Sequence, residues 1–357
     1  MMNVKQLAKK LFQERDLSDE ELLYILQYHE NDVVREEFAK LARIRQKEHF
    51  KNHIYIRGLI EVSNYCKNDC YYCGIRRSNQ QANRYRLSKE DILSCCKQGY
   101  ESGFRTFVMQ GGEDGTFTDD FLVDVIQEIR TIYPDCAITL SLGERSKESY
   151  QRLYDAGANR YLLRHESIDT IHYGQLHPND MSIVHRKQCL YNLKEIGFQT
   201  GCGIMVGSPH QTYEHIVKDI RFMQELKPEM IGIGPFLPHK DTPFKDEAKG
   251  SMTLTLLMLS ICRLIFCESL IPSTTALSTI HPQGREMGIL AGGNVVMPNL
   301  SPVTHRKKYL LYDDKKCSDE EAAEGRKALE KRMKAIGYEV VSSRGDFKGK
   351  SEDIKYV

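Results

Sequence analysis

The feature that most constrains the fold is a regular alternation of short apolar runs with longer amphipathic stretches. The apolar runs are Ile54–Val62, Thr106–Met109, Ala137–Leu140, Arg160–Leu163, Thr200–Val206, Met230–Ile233, Ile271–Thr274 and Val295–Met297. Several of the stretches between them begin at a serine or threonine that can cap a helix and end at a glycine. Alternating strands and helices predict a parallel sheet. Eight such units indicate an α/β fold of the (β/α)8 TIM-barrel type, with an open doubly wound sheet as the alternative.

The chain outside this alternation reads as helical and polar. Ser18 and Glu21 form a capping box before an apolar stripe, which predicts a helix near the N-terminus. A second charged helix is predicted over Ser318–Ile336, followed by a polar tail. The sequence therefore predicts three regions: an N-terminal helical extension over residues 1–50, the barrel over 51–300, and a C-terminal extension over 301–357 that forms a helical cap.

Composition excludes several classes of protein. Lys and Arg number 50 against 49 Asp and Glu, so the net charge of +1 gives no reason to expect nucleic acid or an anionic membrane as partner. No apolar run approaches the ~18 residues that a membrane-spanning helix needs, and we expect no secretory signal at the N-terminus. We therefore expect a cytoplasmic protein, monomeric by default, whose 11 cysteines remain reduced.

Three of those cysteines are clustered in one predicted loop. Cys66, Cys70 and Cys73 follow the first predicted strand with the spacing C-x-x-x-C-x-x-C. Thiolates bind soft metals and iron–sulfur clusters. A four-iron cluster held by only three cysteines has one iron with an open coordination position, which a bound molecule can occupy. The motif thus predicts a reactive cluster more than an electron carrier.

Two other metal sites are compatible with the same cysteines. Structural zinc needs four ligands, and His53, a possible fourth, lies at the far end of the first strand. An electron-transfer cluster needs a fourth thiolate such as Cys95 or Cys96, and both lie on a predicted helix where core packing is the simpler interpretation.

Polar residues stand at the predicted carboxyl ends of several strands. In a (β/α)8 barrel these ends meet at one mouth, where active sites form. Arg186 lies on the helix after the fourth strand and is suited to clamp a carboxylate. A structural salt bridge remains the alternative for Arg164 with Glu166. The strand-end residues are Gln110, Gly112 and Glu113, Thr139 and Ser141, Arg164 and Glu166, Thr274 and Thr275, and Met297.

The cysteine spacing, with Tyr72 before the third cysteine and Gly74 after it, resembles the radical SAM superfamily. This resemblance implies one 4Fe–4S cluster whose open iron binds S-adenosylmethionine (SAM) and whose electron cleaves it to a 5′-deoxyadenosyl radical. It places Tyr72 near the adenine. It also places Gly112 and Glu113 at the SAM ammonium group.

Longer stretches resemble the HydE family of FeFe-hydrogenase maturases, among them RYRLS, TLSLGE, RYLLRHES and IPSTTA. That resemblance adds Ser141, Glu166 and Arg186 as SAM-binding residues. It implies assembly of the diiron subcluster of the hydrogenase from an iron–cysteine carbonyl cyanide precursor. Its implied partners are a sister radical SAM maturase, a scaffold GTPase and an external electron donor. The substrate-binding residues that it implies are Arg57, Gln110, Thr139, Arg164, Thr274, Thr275, Met297 and Tyr309.

Some members of that family carry a second cluster bound by three C-terminal cysteines. Only Cys317 lies in the corresponding region, so we expect no second cluster and about four irons per chain. The alternatives are an amino-acid radical mutase of the methylornithine synthase type, which acts on an amino-acid-derived substrate, and a non-catalytic iron–sulfur carrier.

Overall fold

A computed structural model describes residues 3–315 and 322–348. Cys317, the predicted start of the last helix at Ser318 and the end of the polar tail fall outside these ranges. None of the helices within them is long and apolar enough to cross a lipid bilayer.

The strands close into a parallel barrel, as the alternation predicted. Six of them form one sheet in the order β2-β3-β4-β5-β6-β8, and β7 pairs with β9. Parallel bridges from Met230 to Leu270 and from Pro272 to Val295 supply the seventh strand position, and Leu59 to Asn299 closes the ring. The strands are β1 (His53–Ile56), β2 (Gly58–Ser63), β3 (Thr106–Gly111), β4 (Ala137–Ser141), β5 (Arg160–Leu162), β6 (Gln199–Cys202), β7 (Met205–Val206), β8 (Met230–Ile231), β9 (Gly234–Pro235), β10 (Val295–Val296) and β11 (Glu339–Val341).

Fourteen helices are described. Serine and threonine caps begin most of those predicted from the sequence, and both expected capping boxes are present, at Ser18 with Glu21 and at Ser88 with Asp91. The helices are α1 (Val4–Glu14), α2 (Asp19–Gln27), α3 (Asp32–Phe50), α4 (Lys89–Glu101), α5 (Asp119–Ile132), α6 (Lys147–Asp155), α7 (Thr170–Leu176), α8 (Ile183–Ile196), α9 (Tyr213–Leu226), α10 (Met252–Ile265), α11 (Thr275–Ile280), α12 (Gly284–Leu290), α13 (Val303–Arg306) and α14 (Ala322–Ala335).

Side chains alternate along the strands, which separates a polar interior from an apolar outer layer. On β3, Phe107 and Met109 are fully buried in the main hydrophobic core between the strands and the helices. Gln110, the next residue, lies opposite Ser141 of β4 in the strand register. The same alternation turns Thr139 and Ser141 to one side of β4, so the barrel interior receives hydroxyls and amides.

The C-terminal segment lies against the amino-terminal ends of the strands. β11, which the sequence did not predict, pairs in parallel with β1. Beyond it, Asp346 forms a 2.6 Å ion pair with the fully buried Arg160 of β5. Phe347 donates a backbone hydrogen bond to Gln199 at 3.1 Å. The first part of the predicted polar tail therefore closes this end of the barrel, leaving the carboxyl-terminal mouth for the cysteine loop.

Candidate active site

The cysteine loop connects β2 to α4 and is joined to the loop after β3. Lys67 donates a backbone hydrogen bond to the Glu113 carbonyl oxygen at 2.9 Å. The Glu113 amide in turn lies 3.4 Å from Cys66 Sγ and donates to it. A backbone N–H aimed at a thiolate is the interaction that stabilises iron–sulfur ligands. The cysteine loop and the Gly112-Glu113 segment are therefore in direct contact.

Gly112 is required for this contact. A Cβ atom at Gly112 would lie 2.2 Å from the Tyr65 carbonyl oxygen and 2.7 Å from Cys66 Cβ. Real Cβ atoms do not approach other atoms so closely, hence any larger residue would push the loop after β3 away from Cys66. The glycine is explained by close backbone approach.

Tyr72 is held by a histidine that the sequence did not indicate. Its hydroxyl lies 3.2 Å from His177 Nε2, while His177 Nδ1 lies 3.0 Å from the Tyr173 carbonyl oxygen. A carbonyl only accepts, so Nδ1 carries the proton and Tyr72 donates to Nε2. Burial lowers the pKa of His177 to about 3, which keeps the ring neutral. The tyrosine ring beside the third cysteine therefore has a fixed orientation.

Three charged candidates lie together beyond the end of β5. Arg164 Nη2 lies 3.1 Å from Glu166 Oε2. Arg186, on α8, donates to the Arg164 carbonyl oxygen at 3.1 Å and forms an ion pair with Glu144. Glu166 is 7% and Arg186 8% exposed, so both charges sit in a largely desolvated site. Beyond this ion pair with Arg164, Glu166 Oε2 accepts no hydrogen bond within the described residues, so the carboxylate keeps lone pairs that a ligand can use.

The backbone at Glu166 is in the left-handed region, with φ of 61°, which costs energy for a residue with a side chain. The buried carboxylate of Asp219 contacts residues on both sides of Glu166. Asp219 Oδ1, on α9, accepts from the Ile168 amide at 2.7 Å and lies 3.3 Å from His165 Nε2. Asp219 and His165 are both fully buried. The pair acts on the backbone that presents Glu166 to the mouth.

We expect Asp219→Ala to weaken SAM binding about tenfold, because Glu166 loses the contacts that hold its strained backbone. Equilibrium dialysis of the reconstituted enzyme with labelled SAM measures the affinity. Asp124→Ala, which removes a carboxylate paired with Lys89 at the surface, serves as the control. Unchanged affinity in a folded Asp219→Ala barrel would show that Glu166 needs no such support.

Deeper in the barrel, polar atoms are buried without partners. Arg57 is 5% exposed, its Nη1 lies 3.0 Å from Met230 Sδ, and its Nε and Nη2 have no hydrogen bond among the described residues. The Thr139 and Thr274 hydroxyls are also buried without a hydrogen-bond partner among the described residues. Burial, with repulsion from Arg160, lowers the pKa of Arg57 well below its usual value, and attraction to Asp346 only partly opposes this shift. Buried polar groups are normally paired, so these atoms indicate a site for a polar ligand.

Thr274 shows this most clearly. It is the N-cap of α11, where a threonine hydroxyl normally accepts from the helix backbone, yet here it makes no cap hydrogen bond. A Cβ atom at Gly234 of β9 would lie 2.9 Å from its Oγ1, so the hydroxyl occupies space that a glycine leaves open. The sequence predicted a hydroxyl at this strand end, but it did not predict that the hydroxyl would make no capping hydrogen bond to α11.

The remaining candidates take different positions. Tyr309 lies in the segment after α13, and its hydroxyl is 3.4 Å from Gln110 Nε2. Gln110 in turn neighbours Ser141. Met297 packs on the apolar group that contains Met230, the neighbour of Arg57. Thr275 opens α11, and no hydrogen bond joins its hydroxyl to another candidate within the described residues.

The donor set fits an iron–sulfur cluster better than zinc. In the described parts of the chain, no three His, Cys, Asp or Glu side chains are grouped to hold one metal ion. Cluster thiolates bind different irons and need not converge on one point. Cys95 and Cys96 are buried in the core on α4, as the packing interpretation predicted. The Glu166 carboxylate and the Arg186 guanidinium match the amino and carboxylate groups of SAM in charge.

Comparison with known proteins agrees with this geometry. The Radical SAM superfamily pattern matches residues 60–223. The FeFe hydrogenase maturase subunit HydE of Thermotoga maritima is 41% identical over 316 residues, covering 88% of this chain and 89% of that protein. A 3-methylornithine synthase of Methanosarcina acetivorans is 28% identical, covering 94% of each chain. The crystal structure of a methylornithine synthase superposes with a TM-score of 0.82 at 26% identity, covering 94% and 97%.

A closed parallel barrel with a three-cysteine loop at its carboxyl-terminal mouth defines the radical SAM class, whose members use a 4Fe–4S cluster and SAM. Within this class, the 41% identity to HydE over 88% of the chain defines the family more narrowly. The chain belongs to the HydE family of hydrogenase maturases.

Proposed function

We propose that this chain cleaves SAM reductively and uses the resulting radical to help assemble the diiron subcluster of an FeFe-hydrogenase. Cys66, Cys70 and Cys73 hold the 4Fe–4S cluster in this proposal. The cluster, when bound, supplies the electron that cleaves SAM to the 5′-deoxyadenosyl radical. The residues that bind SAM are Tyr72, Gly112, Glu113, Ser141, Glu166 and Arg186.

The SAM-binding residues act by charge and orientation. Arg186 offers a cation, and Glu166 a carboxylate that accepts no hydrogen bond at Oε2 within the described residues, in a site where little water screens either charge. The Tyr72 ring is fixed by His177 beside the third cysteine. Such pre-positioned groups bind an amino-acid zwitterion without reorganising, which brings its reactive sulfonium to a defined place.

The single observation that carries the substrate proposal is the unpaired Arg57. A buried guanidinium without a carboxylate partner is costly unless an anion binds to it. Hydroxyls and an amide from other strands, with a second cation at Arg164, complete a chamber suited to a compact anion. We infer a mononuclear iron complex that carries cysteine, carbon monoxide and cyanide, with Arg57, Gln110, Thr139, Arg164, Thr274, Thr275, Met297 and Tyr309 as its contacts.

The C-terminal segment excludes water from this chamber. Tyr309 is 1% exposed, and the carbonyl oxygen of the same residue accepts from Lys315 at 2.8 Å. Lys315 also forms a buried ion pair with Glu61 of β2. Gly74, just after Cys73, donates a backbone hydrogen bond to the Leu311 carbonyl oxygen at 2.9 Å. Enclosure protects a radical and strengthens the charges that face the substrate.

The substrate and product of such a reaction are oxygen-sensitive and need delivery. We infer that a sister radical SAM maturase supplies the iron complex, that a scaffold GTPase receives the product, and that an external protein donates the electron. The relationship to HydE supports this arrangement.

A second candidate is an amino-acid mutase of the methylornithine synthase type. Its support is the 28% identity over nearly the full length and the close superposition of the barrel. A zwitterionic amino acid needs a paired carboxylate and ammonium site. The unpaired cation at Arg57 favours an anionic substrate instead.

The test uses the reconstituted enzyme under anaerobic conditions. With dithionite, SAM, the iron–cysteine complex and the partner maturases, we expect 5′-deoxyadenosine to form and a hydrogenase lacking its diiron subcluster to become active. A parallel reaction with lysine should yield no methylornithine. Methylornithine formation without hydrogenase activation would establish the second candidate in place of the first.

A further inference from the structure

The cysteine loop is braced by an arginine from the RYRL stretch, residues 84–87, to which neither the barrel pattern nor the radical SAM motifs assign a role. Arg84 donates through Nη1 to the carbonyl oxygens of Asn64 and, at 2.9 Å, of Ile75. Its Nη2 donates to the carbonyl oxygens of Arg76 at 2.6 Å and Asn79 at 2.9 Å. One guanidinium therefore satisfies four backbone acceptors.

These acceptors stand on both sides of the three cysteines. Asn64 precedes Cys66 by two residues, and Ile75 follows Cys73 by two. Drawing both ends of the loop to one planar group fixes the separation of its ends. A lysine cannot reproduce this pattern, because an ammonium is a point donor with three protons and no fixed fork.

The charge of Arg84 also differs in its surroundings from those of Arg76 and Arg86. Arg76 forms an ion pair with Asp69 at 2.7 Å, and Arg86 with Asp114 at 2.6 Å. Arg84 forms no ion pair with a carboxylate in the described part of the chain, since its bonds end on neutral carbonyls. The side chain is only partly exposed. Its positive charge is therefore neither neutralised by a carboxylate nor fully screened by water.

The charge of Arg84 lies against the cysteine loop. Its Nη1 donates to the carbonyl oxygens of Asn64, two residues before Cys66, and Ile75, two residues after Cys73. A cation placed there favours added negative charge on a metal group that the loop holds. The net charge near an iron–sulfur cluster is one of the determinants of its reduction potential.

We propose that Arg84 is a positioning residue with two separable roles: its four hydrogen bonds clamp the cysteine loop around the cluster, and its unpaired charge raises the cluster's reduction potential. The inference rests on the proposed ligation by Cys66, Cys70 and Cys73. Reduction adds one electron, and so one negative charge, from a chemical donor such as dithionite, with no bond made or broken. Arg84 stabilises the reduced state more than the oxidised state.

Three variants separate the two roles. Arg84→Lys keeps the charge but loses most of the four bonds, and Arg84→Gln loses both. Arg77→Gln removes one positive charge from an exposed residue of the same loop and serves as the control. Each protein is reconstituted, and its iron content, rate of iron loss to a chelator and reduction potential by spectroscopically monitored titration are measured.

We expect Arg77→Gln to match the wild type in all three measurements. Arg84→Lys should lose iron about tenfold faster with a potential near that of the wild type, because several charge-assisted hydrogen bonds are gone. Arg84→Gln should lose iron at least as fast and show a more negative potential. If Arg84→Gln retains no cluster, the rate of iron loss from Arg84→Lys still tests the clamping role. A wild-type reduction potential in Arg84→Lys then supports the role of charge.

Wild-type iron retention in Arg84→Lys and Arg84→Gln would overturn the clamp. A potential in Arg84→Gln equal to that of the wild type, or one in Arg84→Lys that is as negative as in Arg84→Gln, would overturn the role of charge. A wild-type protein that binds no cluster would instead overturn the proposed function. The two failures are therefore distinguishable.

Discussion

Cys70→Ala is expected to reduce 5′-deoxyadenosine formation from SAM to background, a loss of about 10³-fold or more, because radical generation requires the cluster-bound electron. The reason is the number of ligands. Three thiolates already leave one iron open, and removing one exposes a second iron to water and chelators. Cys70 lies in the middle of the loop, with its Sγ 3.7 Å from Met181 Sδ in the segment between α7 and α8. The assay is chromatography of the dithionite-reduced reaction, with iron measured per chain.

The matched control is Cys95→Ala. Cys95 is a buried thiol on α4 that packs in the main hydrophobic core. Its removal leaves a small cavity that costs about 1 kcal/mol and should leave 5′-deoxyadenosine formation near the wild-type rate. Full activity in Cys70→Ala, or its complete loss in a folded Cys95→Ala protein, would contradict the assignment of the loop cysteines as ligands.

The sequence predicts well those parts of the fold that are determined locally. Helix starts follow from single capping residues, as at Ser88 and Thr118, and both caps are present. Strand positions follow from short apolar runs. Because parallel strands in a barrel end at one mouth, locating each strand also locates the residues after it, such as Gln110 and Glu166.

What the sequence could not supply are contacts between residues far apart along the chain. Asp219 lies 51 residues after Ile168, and Tyr309 lies 199 residues after Gln110, yet each pair is hydrogen-bonded. No periodicity relates such positions. The hydroxyl of Thr274 was predicted to lie at a strand end, but only the structure shows that it caps no helix.

The same reasoning applies to charge. Arg57, between β1 and β2, and Arg160, at the start of β5, are both buried and close enough to repel each other, yet their surroundings differ. Arg160 donates to Thr106, Gln199 and the Arg344 carbonyl oxygen and pairs with Asp346. Arg57 has only Met230 Sδ as a hydrogen-bond acceptor within the described residues. Arg160 therefore stabilises the fold, whereas Arg57 is available to bind an anionic ligand.

This difference predicts that Arg57→Met makes the protein more stable and less active. Removing a buried cation that has no anionic partner relieves its desolvation cost, so the free energy of unfolding should rise by about 1–4 kcal/mol. Hydrogenase activation should fall about 100-fold, because the anionic complex loses its central cation. 5′-Deoxyadenosine formation without substrate should persist, since the cysteine loop is untouched. Thermal melts and the activation assay on the same preparations measure both effects.

Arg160→Met is the matched control, with the same chemical change on a paired arginine. It removes one of the two arginines that pair with Asp346, the other being Arg344, and it takes the buried donor from the Thr106 hydroxyl and the Arg344 carbonyl oxygen. The free energy of unfolding should therefore fall by about 1–3 kcal/mol. The two substitutions thus have opposite expected signs for stability. If Arg57→Met also destabilised the barrel by several kcal/mol, Arg57 would be a structural residue like Arg160. The chamber would then lack the cation on which an anionic substrate depends.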